Sequence, residues 1–519
     1  MCCAGQTWLR SSCGNRNQII GSRDHATPHV ATKNMHENLF CRPQLCAVVP
    51  LSTARQCGRA DYTLVHYTHE MQDLIHRLAV THLVEDLKYP QGLLSMQYDK
   101  DFAILGLTVD MDKALLCKLS YINRVTTVFR GRKPLTQLEV EGLYGSHPHT
   151  VVPEYKSQRM KPLNDRFCLA EACLLADVVQ HLEDMGSAGA YDPRAVAEDV
   201  LDAVGHVHIS GLLHDRVLQD IDRYIRPSPR LGTLLRQLRQ SGKSLFIASN
   251  SPWLFVDAGM RHIVGPDWMS LFDFVGVSVS KPSFYTGTRP FRAVSKSTGR
   301  IKWTEVTALE PGTVFTHGSI ENLKKLKGWE GPRVLYFGDS LWADLVQARK
   351  QHGWTTGAII YDVEKELQRK ASHDYQHLSL RAKALEVLLH LVQEEAEAGY
   401  GIHHALGGED RLLLDKLEES MAALRKSKSG LLNKNFGSIF RTEEEPSLFS
   451  FHLWRYVDLY TSRVYNLANH SVMHRFYPTQ TLSVAHEPHP KTVSEDIRRL
   501  LLTPGSGEED TAEEEDYSR

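Results

Sequence analysis

From residue 61 onward the apolar and polar positions follow the periods of helices and buried strands; before it no period persists. His69–Asp86 carries apolar residues three and four apart and predicts a helix. Phe102–Asp110 and Ala114–Ser120 predict the strands of a hairpin turned at Asp110–Asp112. Residues 165–225 read as helical, first over Phe167–Met185 and then, after GSAGAYDP, over Ala195–Ile225. Helix–strand units follow. Arg230–Ser241 predicts a helix, and KSLFIASNS a short apolar strand that ends in small polar residues. LFDFVGVSVSKP and RVLYFGDS repeat that design, and TTGAII adds a fourth apolar strand. Wholly apolar strands alternating with helices predict an α/β fold, with a parallel sheet covered on both faces. In such sheets the ligand lies beyond the carboxyl ends of the strands. Those ends carry Ser249, Asn250, Lys281, Asp339 and Ser340. Beyond about residue 370 the pattern is helical again, and Leu413, Leu417, Met421 and Leu424 form one stripe, predicted to face the core, with a dimer seam as the alternative.

Composition narrows the classes. The chain has 519 residues, 60 Lys plus Arg against 62 Asp plus Glu, 42% apolar and 24% charged residues. These are globular values, and the balanced charge argues against a nucleic-acid or membrane-surface partner. The longest apolar stretches, such as Leu385–Val392, fall short of the ~18–20 residues of a membrane span, so a soluble chain is expected. Six of nine cysteines (Cys2, Cys3, Cys13, Cys41, Cys46, Cys57) crowd into the first 57 residues without framework spacing. An odd count of this kind predicts a reducing compartment, the cytoplasm. The basic bias of that segment leaves a mitochondrial transit peptide as the alternative to an unstructured leader over residues 1–58. The tail GSGEEDTAEEEDYSR predicts an acidic, solvated terminus within residues 481–519.

The strand-end residues suggest a chemistry. Ser249 and Asn250 offer hydrogen-bond donors to an anionic oxygen, and Lys281 offers a point charge suited to phosphate. Asp339, with Asp344 five residues on, offers the hard oxygens that Mg²⁺ prefers. Each has a structural alternative as a helix cap, a surface lysine or a first-turn carboxylate. Their common placement at consecutive strand ends is what favours function. HPH (147–149), HVH (206–208) and HH (403–404) lack zinc spacing and are expected in solvated loops. No Walker loop, Gly-x-Ser-x-Gly elbow or Gly-x-Gly-x-x-Gly is present.

Several segments in one order carry a resemblance: DYTL (61–64), SNSPW (249–253), GMRHIVGPDW (259–268), KPSFY (281–285), GPRVLYFGDSLWADL (331–345) and FGSIFRT (436–442). They resemble the haloacid dehalogenase superfamily of phosphohydrolases, in its cytosolic purine 5′-nucleotidase branch, and within that the 5′-nucleotidase domain-containing proteins. The resemblance spans roughly Asp61–Pro478. It implies a Rossmann-like core (59–90 and 226–370), a cap inserted over 91–225, and a helical C-terminal extension over 371–480 that could join copies into a homo-oligomer. It also implies Mg²⁺-dependent dephosphorylation of nucleoside monophosphates, or of other small phosphomonoesters, through an aspartyl-phosphate. Carried over, Asp61 would be the acid/base and offer a backbone oxygen to the metal. Ser249 and Asn250 would bind phosphate, Lys281 would neutralise phosphate and nucleophile, Asp339 would hold Mg²⁺, and Asp344 would support that site from behind.

Two departures stand out. The family's first motif reads Phe-Asp-x-Asp-Tyr-Thr-Leu, whereas this chain has Gly58-Arg59-Ala60-Asp61-Tyr62-Thr63-Leu64, with Arg59 at the nucleophile position. A guanidinium cannot attack phosphorus and repels Mg²⁺. The segment before it, STARQCGR, is polar where a first strand should run, and the apolar run 45–51 lies several residues too early. The expectation is an impaired enzyme or a non-catalytic, phosphate-sensing scaffold. A register slip that makes Asp61 the nucleophile, with Thr63 two residues on, is the alternative for activity. The abrupt onset of likeness also predicts that the first 60 residues come from an alternative first exon or a misassigned gene start. In the cap, Leu201 and Gly205 stand where purine nucleotidases hold the nucleotide with an arginine and an aspartate.

Overall fold

The computed structural model describes residues 63–145, 159–187, 191–400, 408–442 and 445–476, with two earlier strands, Ala31–Thr32 and Cys46–Val49. A nine-stranded sheet organises the core. In chain order its strands are β1 (Ala31–Thr32), β2 (Cys46–Val49), β3 (Ser244–Ala248), β4 (Phe274–Val277), β5 (Phe291–Val294), β6 (Val314–His317), β7 (Val334–Gly338), β8 (Thr355–Ile359) and β9 (Leu459–Thr461). Across the sheet the order is β1-β9-β8-β7-β2-β3-β4-β6-β5. All neighbours are parallel except β1 on β9 and β5 on β6 at the two edges. The predicted parallel, helix-covered α/β sheet is therefore present. The apolar strands read from sequence are buried along their lengths, as a sheet covered on both faces requires.

The start of the sheet corrects the sequence reading. The run 45–51, which the pattern sets too early for a first strand, supplies β2 at the centre. Cys46, Ala47 and Val48 pair with Val334, Leu335 and Tyr336 of β7 on one side. Ser244 to Ile247 of β3 pair with Cys46 to Val49 on the other. A centre strand needs apolar residues on both faces more than it needs a fixed distance from the motif that follows, and Ala-Val-Val meets that need.

Between β2 and β3 the chain inserts a second unit. Its hairpin (Leu107–Asp110, Leu115–Leu119) is as predicted, and it is extended by Val125–Arg130, Lys133–Pro134 and Met160–Leu163 into a five-stranded antiparallel sheet. Three helices, Glu70–Glu85, Cys168–Leu182 and Pro193–Ile209, pack with it. The last begins at an Asp192 cap followed by Pro193. The helix expected over Ala195–Ile225 is broken at Gly211, which stands at φ 86, a conformation glycine adopts without strain.

The C-terminal segment is a helical hairpin, His373–Tyr400 and Gly408–Leu432, then a helix Leu448–Tyr456 that leads into β9. The expected stripe is shifted by one residue: Leu414, Leu417, Met421 and Leu424 are turned inward, whereas Leu413 is 46% exposed. HVH (206–208) lies on a helix rather than in a loop, with His208 buried and His206 stacked on His82 at 4.1 Å. HPH and HH lie outside the described residues. Among the described residues no helix is long and apolar enough to cross a membrane.

Candidate active site

β3, β4 and β7 run parallel, and each delivers polar residues immediately beyond its carboxyl end. Ser249 and Asn250 follow β3, Lys281 follows β4 after a short loop, and Asp339 and Ser340 follow β7. All are buried. The loop VSVSK is folded back tightly: Val279 N–H donates to the Ser249 carbonyl at 3.0 Å and Ser278 N–H to the Ser251 carbonyl at 3.0 Å. That fold holds Ser278 at φ 46 and Ser280 at φ 64, left-handed positions costly for a residue with a Cβ. Strain of this kind persists only where the surroundings fix the backbone, and here it fixes Lys281.

Asn250 is the clamp. Its Oδ1 accepts from the Lys281 backbone N–H at 2.6 Å and its Nδ2 donates to the Lys281 carbonyl at 3.1 Å. The side-chain amide, expected to face an anion, instead holds the lysine backbone. The Lys281 ammonium lies 2.6 Å from Asp344 Oδ1 and 3.3 Å from Tyr336 Oη, and Tyr336 donates to the same carboxylate oxygen at 3.3 Å. Burial raises the Asp344 carboxyl above the ordinary carboxylate range, and the adjacent Lys281 charge opposes that rise. Asp344 sits in the helical turn Leu341–Leu345, which Ser340 caps through Ala343 N–H.

Two donors remain unspent among the described residues. An ammonium has three N–H bonds, and that of Lys281 uses two. The Ser249 hydroxyl accepts from Ser251 N–H at 3.0 Å, which leaves its own proton without an acceptor there. Donors of both kinds, buried at neighbouring strand ends, suit an anionic oxygen.

Asp339 is the hard-oxygen group of the cluster, buried and accepting from Thr63 Oγ1 at 3.2 Å. A Mg²⁺ ion asks for one or two carboxylates and completes its shell with water and substrate phosphate, so this residue fits one protein position. Asp344 is turned to Lys281. Asp61 and Arg59 lie outside the described residues. The central strand brings no carboxylate of its own: after Val49 the sequence runs Pro50-Leu51-Ser52, and the next acid is Asp61.

Sequence reasoning missed Tyr336 and Gly338, and it weighed Thr63 only within the slipped register, not as a partner of Asp339. Tyr336 is hidden within an apolar strand, where its hydroxyl gives no pattern. Gly338 has a mechanical signal: a Cβ there would stand 2.5 Å from the Asp344 Cβ. A second buried cluster, His76, Cys173 and Asp177, has metal-ligand composition, with its ligand atoms within 4.8 Å of one another. Arg132 already bonds both Asp177 and the Cys173 sulfur, at 2.6 and 3.0 Å. Burial pushes the Cys173 thiol up to about 12, so it stays protonated. A protonated thiol is a poor metal ligand and the adjacent Arg132 guanidinium repels a cation, so the cluster reads as structural.

A family model described as the 5′ nucleotidase family matches residues 49–489. The chain is 38% identical over 431 residues to 5′-nucleotidase domain-containing protein 2 of Homo sapiens, covering 81% of this chain and 80% of that protein. The same protein of Rattus norvegicus matches at 38% over 431 residues, 81% of this chain and 75% of that one. A 5′-nucleotidase domain-containing protein of Dictyostelium discoideum is 35% identical over 429 residues, 81% of this chain and 70% of its own.

Proposed function

This chain belongs to the 5′ nucleotidase family, and from that premise we propose that its strand-end cluster binds the phosphate of a nucleoside monophosphate or a similar small phosphomonoester, with hydrolysis impaired. Ser249 and Lys281 supply the donors to the phosphate, and Asn250 holds Lys281 in place. Asp339 offers the carboxylate for Mg²⁺, with a backbone oxygen of Asp61 as its companion and Asp344 supporting the site through Lys281. When bound, Mg²⁺ supplies charge neutralisation for the phosphate oxygens. Asp61 is the acid/base.

The observation that carries this reading is the pair of buried donors left unspent among the described residues, the Ser249 hydroxyl and the third N–H of Lys281. The impairment rests on Arg59 at the nucleophile position and on the absence of an acid in sequence between Val49 and Asp61. Losing a covalent nucleophile costs on the order of 10⁶-fold in turnover in other covalent catalysts.

The second reading is a phosphate-sensing scaffold that binds and never hydrolyses, favoured by the same missing acid. Phosphate release from nucleoside monophosphates with Mg²⁺, for this chain and for Arg59→Asp, separates the two. Activity gained in the variant supports an enzyme lacking its nucleophile; activity in neither, with binding retained, supports the scaffold. Turnover in the unmodified chain that disappears in Asp61→Asn would support Asp61 as nucleophile. Absence of phosphate binding in both forms would overturn the site.

A further inference from the structure

The edge of the main sheet beyond β5 is basic and unneutralised. From residue 274 to 304 the chain holds six Lys and Arg and not one acid. Lys281 is committed to Asp344 within the phosphate site. The other five, Arg289, Arg292, Lys296, Arg300 and Lys302, lie on β5 and the segments flanking it, and all but the half-buried Arg292 are exposed. Among the described residues none of the five is paired with a carboxylate: Arg289 reaches the His317 ring at 3.1 Å and Arg292 the Trp303 carbonyl at 3.3 Å. Exposed arginines on the helices before this run are paired, Arg239 with Asp273 at 2.6 Å and Arg261 with Asp257 at 2.8 Å. The near-equal totals of 60 basic and 62 acidic residues conceal this local excess.

Apolar side chains stand among these charges. After β5 the chain turns through 295–299 and runs back antiparallel. Ser295 N–H donates to the Arg300 carbonyl at 2.9 Å, Lys302 N–H donates to the Ala293 carbonyl at 2.8 Å, and Val294 bridges Ile301. The returning run Arg300-Ile301-Lys302-Trp303 alternates cation and apolar residue, so Ile301 and Trp303 share one side and the cations the other. Ile301 is 36% and Trp303 81% exposed. Beside the turn Leu254 is 53% exposed, 3.7 Å from where a Cβ on Gly299 would stand. Lysines on an edge strand can serve simply to block pairing with another sheet. An exposed isoleucine and tryptophan in the same strand defeat that purpose, and an apolar patch rimmed by charge marks a docking surface.

Charge and side-chain chemistry together select the occupant. Five unneutralised cations call for an anionic surface. Single-stranded nucleic acid would use a row of aromatic rings to stack its bases, and here one ring stands with two aliphatic side chains that bases have no use for. A bilayer of anionic lipid matches every part: its headgroups answer the cations, its interfacial zone suits Trp303, and its acyl boundary suits Leu254 and Ile301. We propose that the hairpin 291–303, with Leu254 beside it, is a peripheral docking surface for anionic lipid membranes, entered by Trp303 and Ile301 and held by the five cations around them. The phosphate site takes no part in it.

Co-sedimentation of the full chain with lipid vesicles tests it. Vesicles of phosphatidylcholine with about 30 mol% phosphatidylserine should carry the chain down, and phosphatidylcholine alone should not. Binding should fall as added salt screens the charges. Arg300→Gln with Lys302→Gln should weaken binding about 25-fold, since each cation near such a surface contributes about fivefold. Trp303→Ala should weaken it about 10-fold by withdrawing the inserted ring. The melting temperature of both variants should stay that of the unmodified chain, because the substituted side chains are exposed. Anionic vesicles should shift tryptophan emission to the blue, and Trp303→Phe should remove that shift. A chain that binds oligouridylate and not vesicles, a chain that binds neither, or vesicle binding left unchanged by the substitutions at 300, 302 and 303 would overturn the surface.

Discussion

The Nζ of Lys281 lies 2.6 Å from Oδ1 of Asp344, and neither side chain exposes any surface. Desolvating two charges is expensive, and only good geometry with further hydrogen bonds offsets it. Tyr336 and the Ser340 N–H supply those bonds to the carboxylate. Asp344→Asn should therefore cost about 3–5 kcal/mol, because it strands a buried ammonium. Urea unfolding measures that cost. The double variant Lys281→Met with Asp344→Leu should recover most of the stability yet bind no phosphate. A double variant that recovers stability and still binds would remove Lys281 from the site.

Gly338 touches the same pair through shape. An added Cβ would meet the Asp344 Cβ at 2.5 Å and its Cγ at 2.8 Å, both on a short side chain held by its bonds. Gly338→Ala should destabilise by about 1–3 kcal/mol or more through overpacking and should shift Asp344 away from Lys281. Comparing it with Gly353→Ala controls for the general effect of losing glycine, since nothing lies within 4 Å of a Cβ there, although the φ of 63 leaves some strain. Equal losses in the two would show that the close approach to Asp344 carries no weight.

The parallel sheet was legible because its strands are continuously apolar and end in small polar residues, a design repeated at Ala248, Val277 and Gly338. Ser249, Lys281 and Asp339 followed from that design alone. What stayed hidden depends on through-space geometry. Nothing in the local sequence announces that Asn250 will clamp a backbone 31 residues away, or that Tyr336 will turn its hydroxyl into an ion pair. The central strand was misread for a different reason. Ala47, Val48 and Val49 fit a strand by composition, but spacing to the motif at Asp61 argued against them, and pairing on both sides at the sheet centre prevailed over spacing.

Ser249 separates anion binding from scaffold integrity. Its hydroxyl accepts one weak backbone bond from Ser251, so Ser249→Ala should cost little stability. If its proton meets a phosphate oxygen, the affinity for inorganic phosphate should fall by about 10-fold, the worth of one hydrogen bond to a charged group. Isothermal calorimetry reads this directly. Unchanged affinity in Ser249→Ala would place the anion elsewhere.

Acid should weaken the fold through its buried histidines. Burial lowers His214 to about 4 from its ordinary 6.5, with Asp215 opposing the shift, and its ring packs on Phe255 at 4.5 Å. Burial and flanking arginine charge lower His66 to about 3, and His452 is lowered to about 4. Each is neutral when folded and takes a proton near pH 6.5 when unfolded. The unfolded chain thus binds more protons below that value, and stability falls with pH between about 6.5 and 4. For His214 alone the loss from pH 6.5 to 5 is about 2 kcal/mol. Melting curves of His214→Leu should be flatter over that interval by this amount; curves parallel to the unmodified chain would refute the assignment.

Lys118 joins the inserted sheet to the C-terminal segment. From the strand Leu115–Leu119 its ammonium donates to the carbonyls of Phe436, Ser438 (2.8 Å) and Arg441 (2.7 Å), within FGSIFRT. Glu366 grips the same loop from the opposite side, accepting from Ser438 Oγ at 2.6 Å and Ile439 N–H at 3.1 Å. A buried lysine is tolerated here because all three N–H bonds are met by carbonyl oxygens, and the loop's carbonyls are satisfied in return. Lys118→Met keeps the aliphatic stem and removes the donors, leaving several buried carbonyls unsatisfied at about 1–3 kcal/mol each before relaxation. Hydrogen–deuterium exchange should then rise first at residues 436–442, with the main sheet still protected. Exchange that rises uniformly, or not at all, would show that Lys118 does not hold the loop.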